Sequence, residues 1–549
     1  PEGRWGRPGF PDVLRIMAET YAQEPDKVRQ NVEGLRAAMA KLSNPQSGGE
    51  IAADIMDRIA ERLLQEVDWN QGGIGQAPKF PQVPLFTGFW RAWRRTRNPR
   101  FRDAVTLTLT RMAQGGIYDH LGGGFARYSV DAEWHVPHFE KMLYDNAQIL
   151  DLLALTHAAE PSRLYAERAR ETVGWLLREM CTQADSAGDR AFAAAQDADQ
   201  EGEEGLFYTW TADEIRAALG DEAQAFASVY DVRDGGNWEG RNVLRRVAPY
   251  GDAGAEGALA ASRAKLFDLR ERREKPARDD KVLVDWNGLM IRALARASIV
   301  FDRPEWLAAA ESAFRFVDRE AREESGRLAH AWRGRVSAAG QLDDYAAFAL
   351  AAVSLFEATG ERDYLGKAIA VAREAIDLFG DDDGSLFITA KGAADVPVAR
   401  PRHARDNATP SGAGLMAEAF ARLYHLTGEA DWRERCEKLI RAFSGAGAAL
   451  ALSPTLLAAA DVLERAAVVV VAGDNGADAL LRAALAAPDP AICVLRTADG
   501  DDWTPSSPAH RRTPVGGRAA AYVCRSMVCG LPAMDAAALA RDLHGAASA

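Results

Sequence analysis

The chain has 549 residues, 48% hydrophobic and 26% charged, an ordinary globular composition that excludes pervasive disorder and a collagen-like repeat. Five cysteines in that length exclude a disulfide-built scaffold. A net charge of −13 argues against general nucleic-acid binding, and no apolar run reaches the ~18–20 residues of a membrane helix.

Residue 1 is Pro, and the opening PEGRWGRPGF has the layout of neither a signal peptide nor a transit peptide. With the low cysteine count, the expected location is cytoplasmic. Residues 11–42 predict one or two helices, with Pro11 at a start position where its missing N–H costs nothing. SNPQSGG, 43–49, is a linker by composition.

From about 50 to 465 two kinds of helix alternate. One kind is nearly free of charge, as in 145–157, 286–301, 343–358 and 409–427. The other is amphipathic, as in 162–181, 304–322, 362–379 and 430–443. In 362–379, Leu365, Ile369, Ala372, Ile376 and Phe379 share one face. A helix apolar on most sides must be surrounded, whereas one with a single apolar stripe sits at the surface. The repeat therefore predicts an inner and an outer ring. An earlier pair, near 82–96 and 100–114, and a charge-poor helix at 454–465 bring the inner candidates to six. The expected fold is mainly α, a closed (α/α)6 toroid; an open solenoid of helix pairs is the alternative. After 465 the pattern changes to strand, helix, strand (AAVVVVAGD, 475–487, AICVLRT), which predicts a small α/β domain with a last helix at 535–545.

The densest polar and aromatic stretch is 115–146. It holds His120, His135 and His138, three of the nine histidines, among Tyr128, Trp134, Glu140, Tyr144, Asp145 and Asn146. It joins an outer helix to an inner one, so in a toroid it would line one mouth. His135-x-x-His138 matches neither the zinc-protease spacing nor a finger, and no metal is expected. Histidines, carboxylates and aromatic rings together suit a carbohydrate, whose C–H faces stack on rings and whose hydroxyls need fixed polar partners.

The acidic run 196–210 includes Asp197 and Asp199 and departs from the EF-hand template at position twelve. It reads as an acidic turn before a strand, LFYTW. Acids recur at the starts of the charge-poor helices: Asp145-Asn146, Asp285-Trp286-Asn287, Asp343-Asp344-Tyr345 and Asp406-Asn407. Capping explains any one of these. Their recurrence would collect carboxylates at one rim, where paired groups do acid–base work. Arg402, His403 and Arg405 add a basic element. Cys524 and Cys529, spaced C-x4-C, read as free buried thiols.

APKFP (77–81), GGIYDHLGGGFARYSVDAEWHVPHFEKMLYDNAQ (115–148), QDADQEGEEGLFYTW (196–210), DDKVLVDWNGLMI (279–291), LDDYAAF (342–348) and AYVCRSMVCGLP (521–532) resemble the thioredoxin-domain-containing, spermatogenesis-associated protein 20 family. The resemblance spans nearly the whole chain. It implies an N-terminal thioredoxin-like domain followed by a six-hairpin, glycosidase-like (α/α)6 barrel similar to N-acylglucosamine and cellobiose 2-epimerases. Family members carry Cys-x-x-Cys upstream of an RPGF-like segment, which here lies at 7–10. Residues 1–49 are then expected to be the remnant of that domain plus a linker, 50–465 the barrel and 466–549 the α/β domain.

The functional expectation is a sugar epimerase, isomerase or glycoside-processing enzyme. His135, His138 and His403 would move protons, with Asp285 and Asp344 as catalytic carboxylates. Substrate contacts would come from His120, Tyr128, Trp134, Glu140, Tyr144, Asp145, Asn146, Asp197, Asp199, Trp286, Asn287, Asp343, Tyr345 and Asp406. The expected partner is a small carbohydrate-like ligand, with no cofactor, nucleic acid or membrane. The alternative is a thioredoxin-family redox or protein-quality factor whose barrel binds a partner or glycan without turnover.

Overall fold

The computed structural model describes residues 8–393, 399–498, 500–526 and 528–544. Two helices open the chain, α1 (Phe10–Gln23) and α2 (Pro25–Ser43), separated at Glu24 by a non-helical backbone. α3 (Ala53–Leu63) follows. Then come the pairs α4 (Val83–Thr96) with α5 (Pro99–Gln114) and α6 (Leu143–Ala159) with α7 (Arg163–Trp175). An insertion carries α8 (Ala212–Leu219), α9 (Ala223–Tyr230) and α10 (Ala253–Arg270) around a small apolar core of their own. Three more pairs follow: α11 (Val284–Val300) with α12 (Pro304–Glu320), α13 (Leu342–Thr359) with α14 (Arg362–Phe379), and α15 (Gly412–Thr427) with α16 (Ala430–Phe443). α17 (Pro454–Arg465) ends the series.

The ring closes. α4 packs on α6, α6 on α11, α11 on α13, α13 on α15, α15 on α17, and α17 returns to α4. That last contact distinguishes a toroid from an open solenoid. α5, α7, α12, α14 and α16 lie outside their inner partners, and α3 supplies a sixth outer helix against α4 and the turn before α17. The cause is the charge pattern. α13 buries every residue from Asp344 to Val353, whereas α14 buries a stripe that includes Leu365, Ala368, Ala372, Ala375 and Phe379. The inner helices approach closely at Gly288, where a Cβ would lie 2.7 Å from the Ala347 backbone on α13.

Charged groups fill the ring below its mouth. Arg91 pairs with Asp461 at 3.0 Å, while Glu418 takes Arg292 and Arg422. Charges at this depth persist only because each is paired.

Short strands surround the mouth, leading into the N-termini of the inner helices. β1 (Lys141–Met142), β2 (Ala195–Gln196) and β5 (Arg278–Asp279) make one sheet, β3 (Asp199–Gln200) and β4 (Glu203–Glu204) a hairpin, and β6 (Val282–Leu283), β7 (Ala329–Trp332) and β8 (Val336–Ala339) another sheet. Leu206–Trp210, expected as a strand, is a turn; only Trp210 makes a bridge, to Asn242. Phe207 and Tyr208 of LFYTW pack around Phe139 instead of forming a ladder.

The C-terminal part has the order β10-β9-β11-β12, built from β9 (Ala467–Ala472), β10 (Ile492–Thr497), β11 (Ala520–Arg525) and β12 (Val528–Cys529). β9 and β10 are parallel, joined through α18 (Ala477–Leu485), as the strand–helix–strand pattern predicts. α19 (Ala536–His544) is the last helix. β10 and α18 pack on α11, α13 and α15. Trp90 donates to the Pro488 carbonyl and Arg422 to that of Pro490, so this unit covers the end of the ring opposite the mouth. Cys524 and Cys529, read above as free thiols, form a disulfide instead, because the β11–β12 hairpin sets them directly opposite one another. No helix among the described residues is long and apolar enough to cross a membrane.

Candidate functional site

The six inner helices present their N-termini around one mouth, where Asp343 and Asp344 in the first turn of α13 and Asp406 ahead of α15 bond to neighbouring helices. Asp343 accepts from the Gly412 N–H of α15 at 2.9 Å. Asp406 accepts from the Thr455 N–H of α17 at 2.8 Å, from the Thr455 hydroxyl at 2.6 Å and from the Ser411 N–H at 2.9 Å. A Cβ on Gly412 would come within 2.8 Å of the Asp343 nitrogen, so the close α13–α15 junction requires glycine there.

The most concentrated chemistry lies between α11 and α13. Asp344 is fully buried. Its Oδ2 accepts from the Gln341 N–H at 2.8 Å and its Oδ1 from the Asp285 N–H at 3.1 Å. His330, on β7, directs Nδ1–H at both oxygens, 3.0 and 3.1 Å away. Asp285 accepts from the Trp286 N–H. One ligand-type atom from each of Asp285, His330 and Asp344 lies within 4.8 Å of the others.

The electrostatics follow from that crowding. Hydrogen bonding to Asp344 and the surrounding carboxylates hold the His330 imidazolium up to about 9. Burial and the Asp344 charge push Asp285 up to about 8, and His330 pulls it partly back. Burial and Asp344 also raise Asp343. The side chain of His330 is 29% exposed and that of Asp344 is sealed, so His330 and Asp285 are the members open to a ligand.

Tyr144 on α6 meets Trp286 on α11 edge to face, with centroids 4.6 Å apart. The next residue, Asp145, is 5% exposed, and its Oδ2 has no hydrogen-bond partner. Burial raises its carboxyl far above the ordinary value, with Arg127 opposing. Asp145 lines a cavity of about 350 Å³ with Phe80, Pro84, Arg405, Asn407 and Leu452. Tyr128 stacks on Phe80 at 4.7 Å, and His138 packs on Tyr128 at 4.9 Å. Glu140 lies 3.4 Å from Arg127. His403 is exposed, and its charge acts on Asp343.

His135 and His138 are not brought into the Asp285–His330–Asp344 group. His135 is half-buried beside Asn237 and Arg245, and burial lowers its pKa. His138 lies 3.4 Å from Glu204 on the β3–β4 hairpin, where Asp199 is exposed, as is nearby Asp197.

Five other expected contacts have their polar atoms committed within the fold. The His120 ring lies against the Gln114 and Gly115 carbonyls and the Arg168 guanidinium, and burial holds it neutral. Trp134 donates to the Gln71 carbonyl. Asn146 clamps Phe125, accepting its N–H and donating to its carbonyl and to that of Met142. Asn287 repeats the clamp on Phe192 and Leu283. The Tyr345 hydroxyl donates to Glu374 and accepts the Leu328 N–H.

Sequence reasoning passed over His330 and Arg127. The signal for His330 was a lone histidine in LAHAW, a short alternating run just ahead of the doubly acidic start at Leu342-Asp343-Asp344. Arg127 stood inside the dense 115–146 stretch without attracting a role.

No protein-family model matches the chain. It is 30% identical to spermatogenesis-associated protein 20 of Homo sapiens, over 99% of this chain and 76% of that protein. The Mus musculus protein of that name matches at the same identity and coverage. An uncharacterised Caenorhabditis elegans protein is 28% identical over 97% of this chain and 79% of its own. Among solved structures, a D-mannose isomerase superposes with a TM-score of 0.47 at 11% identity, covering 71% of this chain and 85% of that one. A cellobiose 2-epimerase from Spirochaeta thermophila gives 0.45 at 16%, covering 75% and 85%. Scores of this size carry no functional inference.

Proposed function

The chain belongs to the spermatogenesis-associated protein 20 family, and on that premise we propose that its helical ring binds a sugar at the mouth and moves a proton on it, as an epimerase or isomerase does. The observation that carries this reading is the Asp285–His330–Asp344 group. Two members are open, both bind their proton more tightly than usual, which keeps His330 cationic and Asp285 neutral to higher pH, and the third is buried and fixes them.

Each residue has a distinct part. Asp344 holds the imidazolium through contacts of 3.0 and 3.1 Å. His330 donates a proton to the developing oxyanion of a carbonyl, where charge stabilisation matters most. Asp285, once ionised, removes the proton from the adjacent carbon and returns it. Hydrolysis by two carboxylates is less well supported. Asp344 is fully buried and already accepts from three groups, so it has no free oxygen for a nucleophilic role. The Tyr144–Trp286 pair supplies an apolar surface beside these groups, as a sugar ring requires. In this reading residues 50–465 are the catalytic unit, and 466–549 close its far end.

The test is carbon-bound hydrogen exchange. Aldoses and ketoses are incubated with the protein in deuterated water and followed by NMR. The expected result is deuterium incorporation next to the carbonyl, with epimer or isomer formation. Asp285→Asn and His330→Gln should each lower that rate by about 100-fold or more. Absence of exchange with every sugar, or full activity in both variants, overturns the assignment.

A further inference from the structure

We propose that the cavity beside Asp145 receives a second sugar ring, so that the substrate is a disaccharide or longer glycoside in preference to a free monosaccharide. The inference rests on the reading that the Asp285–His330–Asp344 group acts on a sugar. It adds the size of the ligand and the residue that reads its second ring.

The first observation is the unpartnered oxygen. A buried carboxylate oxygen is almost always hydrogen-bonded, because leaving it bare costs its desolvation. Asp145 is 5% exposed, yet Oδ2 has no partner, and the residue lines open space. Asp406, on the same cavity wall, is different: Ser411 and Thr455 occupy its carboxylate. Asp145 therefore keeps hydrogen-bonding capacity beyond its contact with Tyr144, and a ligand hydroxyl in the cavity would take it up.

The second observation is the shape and chemistry of the space. About 350 Å³ lies at the small end of the ~300–1,000 Å³ typical of small-molecule sites. Phe80, Pro84 and Leu452 give it apolar surface, and Arg405 and Asn407 bring hydrogen-bond donors. A pyranose, with C–H faces and a hydroxyl edge, matches both kinds of wall.

The third observation is adjacency. Asp145 follows Tyr144, which touches Trp286, and Trp286 follows Asp285. The cavity and the proton-transfer group thus occupy neighbouring helix N-termini, α6 and α11, with one aromatic pair between them. Neither Asp285, His330 nor Asp344 lines the cavity, so it is a space distinct from the proton-transfer group. A linked pair of rings spans them.

Binding is measured calorimetrically on the His330→Gln protein, in which turnover is slowed, with D-glucose, maltose and cellobiose as probes. At least one disaccharide should bind about tenfold or more tightly than glucose, the worth of one good buried hydrogen bond to a ligand hydroxyl. Adding Asp145→Leu should bring that ratio to near one, while a retained melting temperature shows the fold intact. Equal affinity for one ring and two, or a ratio unaffected by Asp145→Leu, overturns the proposal. Exchange on free monosaccharides without a disaccharide preference removes this inference alone. A disaccharide preference without exchange on any sugar removes the catalytic reading alone.

Discussion

His330 and Asp344 meet at 3.0 Å between β7 and the first turn of α13, and the same Asp344 oxygen accepts the backbone N–H of Asp285 from α11. One buried carboxylate therefore ties together a strand and two inner helices. It also fixes the ionisation of both open groups. A substitution at Asp344 would change structure and chemistry together, whereas His330 and Asp285 report on chemistry more directly.

The first prediction concerns the pH–rate profile. Asp285 acts ionised, above about 8, and His330 acts protonated, below about 9. kcat/KM for hydrogen exchange should rise through about 8 and fall above about 9, a narrow bell. Asp285→Asn should leave a residual rate without the rising limb. A profile flat from pH 6 to 10 would contradict the assignment.

The same groups make stability depend on pH. His330 binds its proton more tightly folded than unfolded, so its contribution is complete below its ordinary value of about 6.5 and is lost as pH rises through about 9. Asp285, also raised, has the same sign: its contribution belongs to the protonated form and is lost as pH rises through about 8. Urea unfolding at intervals from pH 6 to 9.5 should show wild-type stability falling across that range. The Asp285→Asn/His330→Gln double variant should show a shallower fall. His330→Gln alone should cost about 1–2 kcal/mol near pH 6, where one charged hydrogen bond to Asp344 is removed.

The third prediction separates scaffold from site. Asn146 and Asn287 are fully buried, and each spends its amide on a preceding loop. Asn146→Leu and Asn287→Leu leave a backbone N–H and carbonyl groups unpaired. Each should cost about 2–4 kcal/mol by chemical denaturation. A cost below about 0.5 kcal/mol, the level of an inert surface change, would show that water replaces the clamp.

Much of the architecture was legible because helix burial is written as charge periodicity. The charge-poor runs at 145–157, 286–301, 343–358 and 409–427 could only be inner helices, and they are. The strand–helix–strand pattern after 465 was equally local, since a buried parallel strand is a short unbroken apolar run. Cys524 and Cys529 were misread because spacing does not reveal a hairpin register.

The sequence by itself determined two rings of helices and a rim of N-terminal acids, because both follow from periodicities of a few residues. It did not determine which acids stay open to a ligand. Asp145, Asp285, Asp344 and Asp406 look alike in the chain, each an acid at or just before a helix start. Tertiary structure separates them. Asp406 is filled by Ser411 and Thr455, Asp344 is sealed and paired with His330, Asp285 is left beside a charged neighbour, and Asp145 lines a cavity and keeps one buried oxygen without a partner. His330, isolated in the sequence, gains its role through the folding of β7 onto α13. A carboxyl's partners and desolvation set its chemistry, and both come from residues distant along the chain.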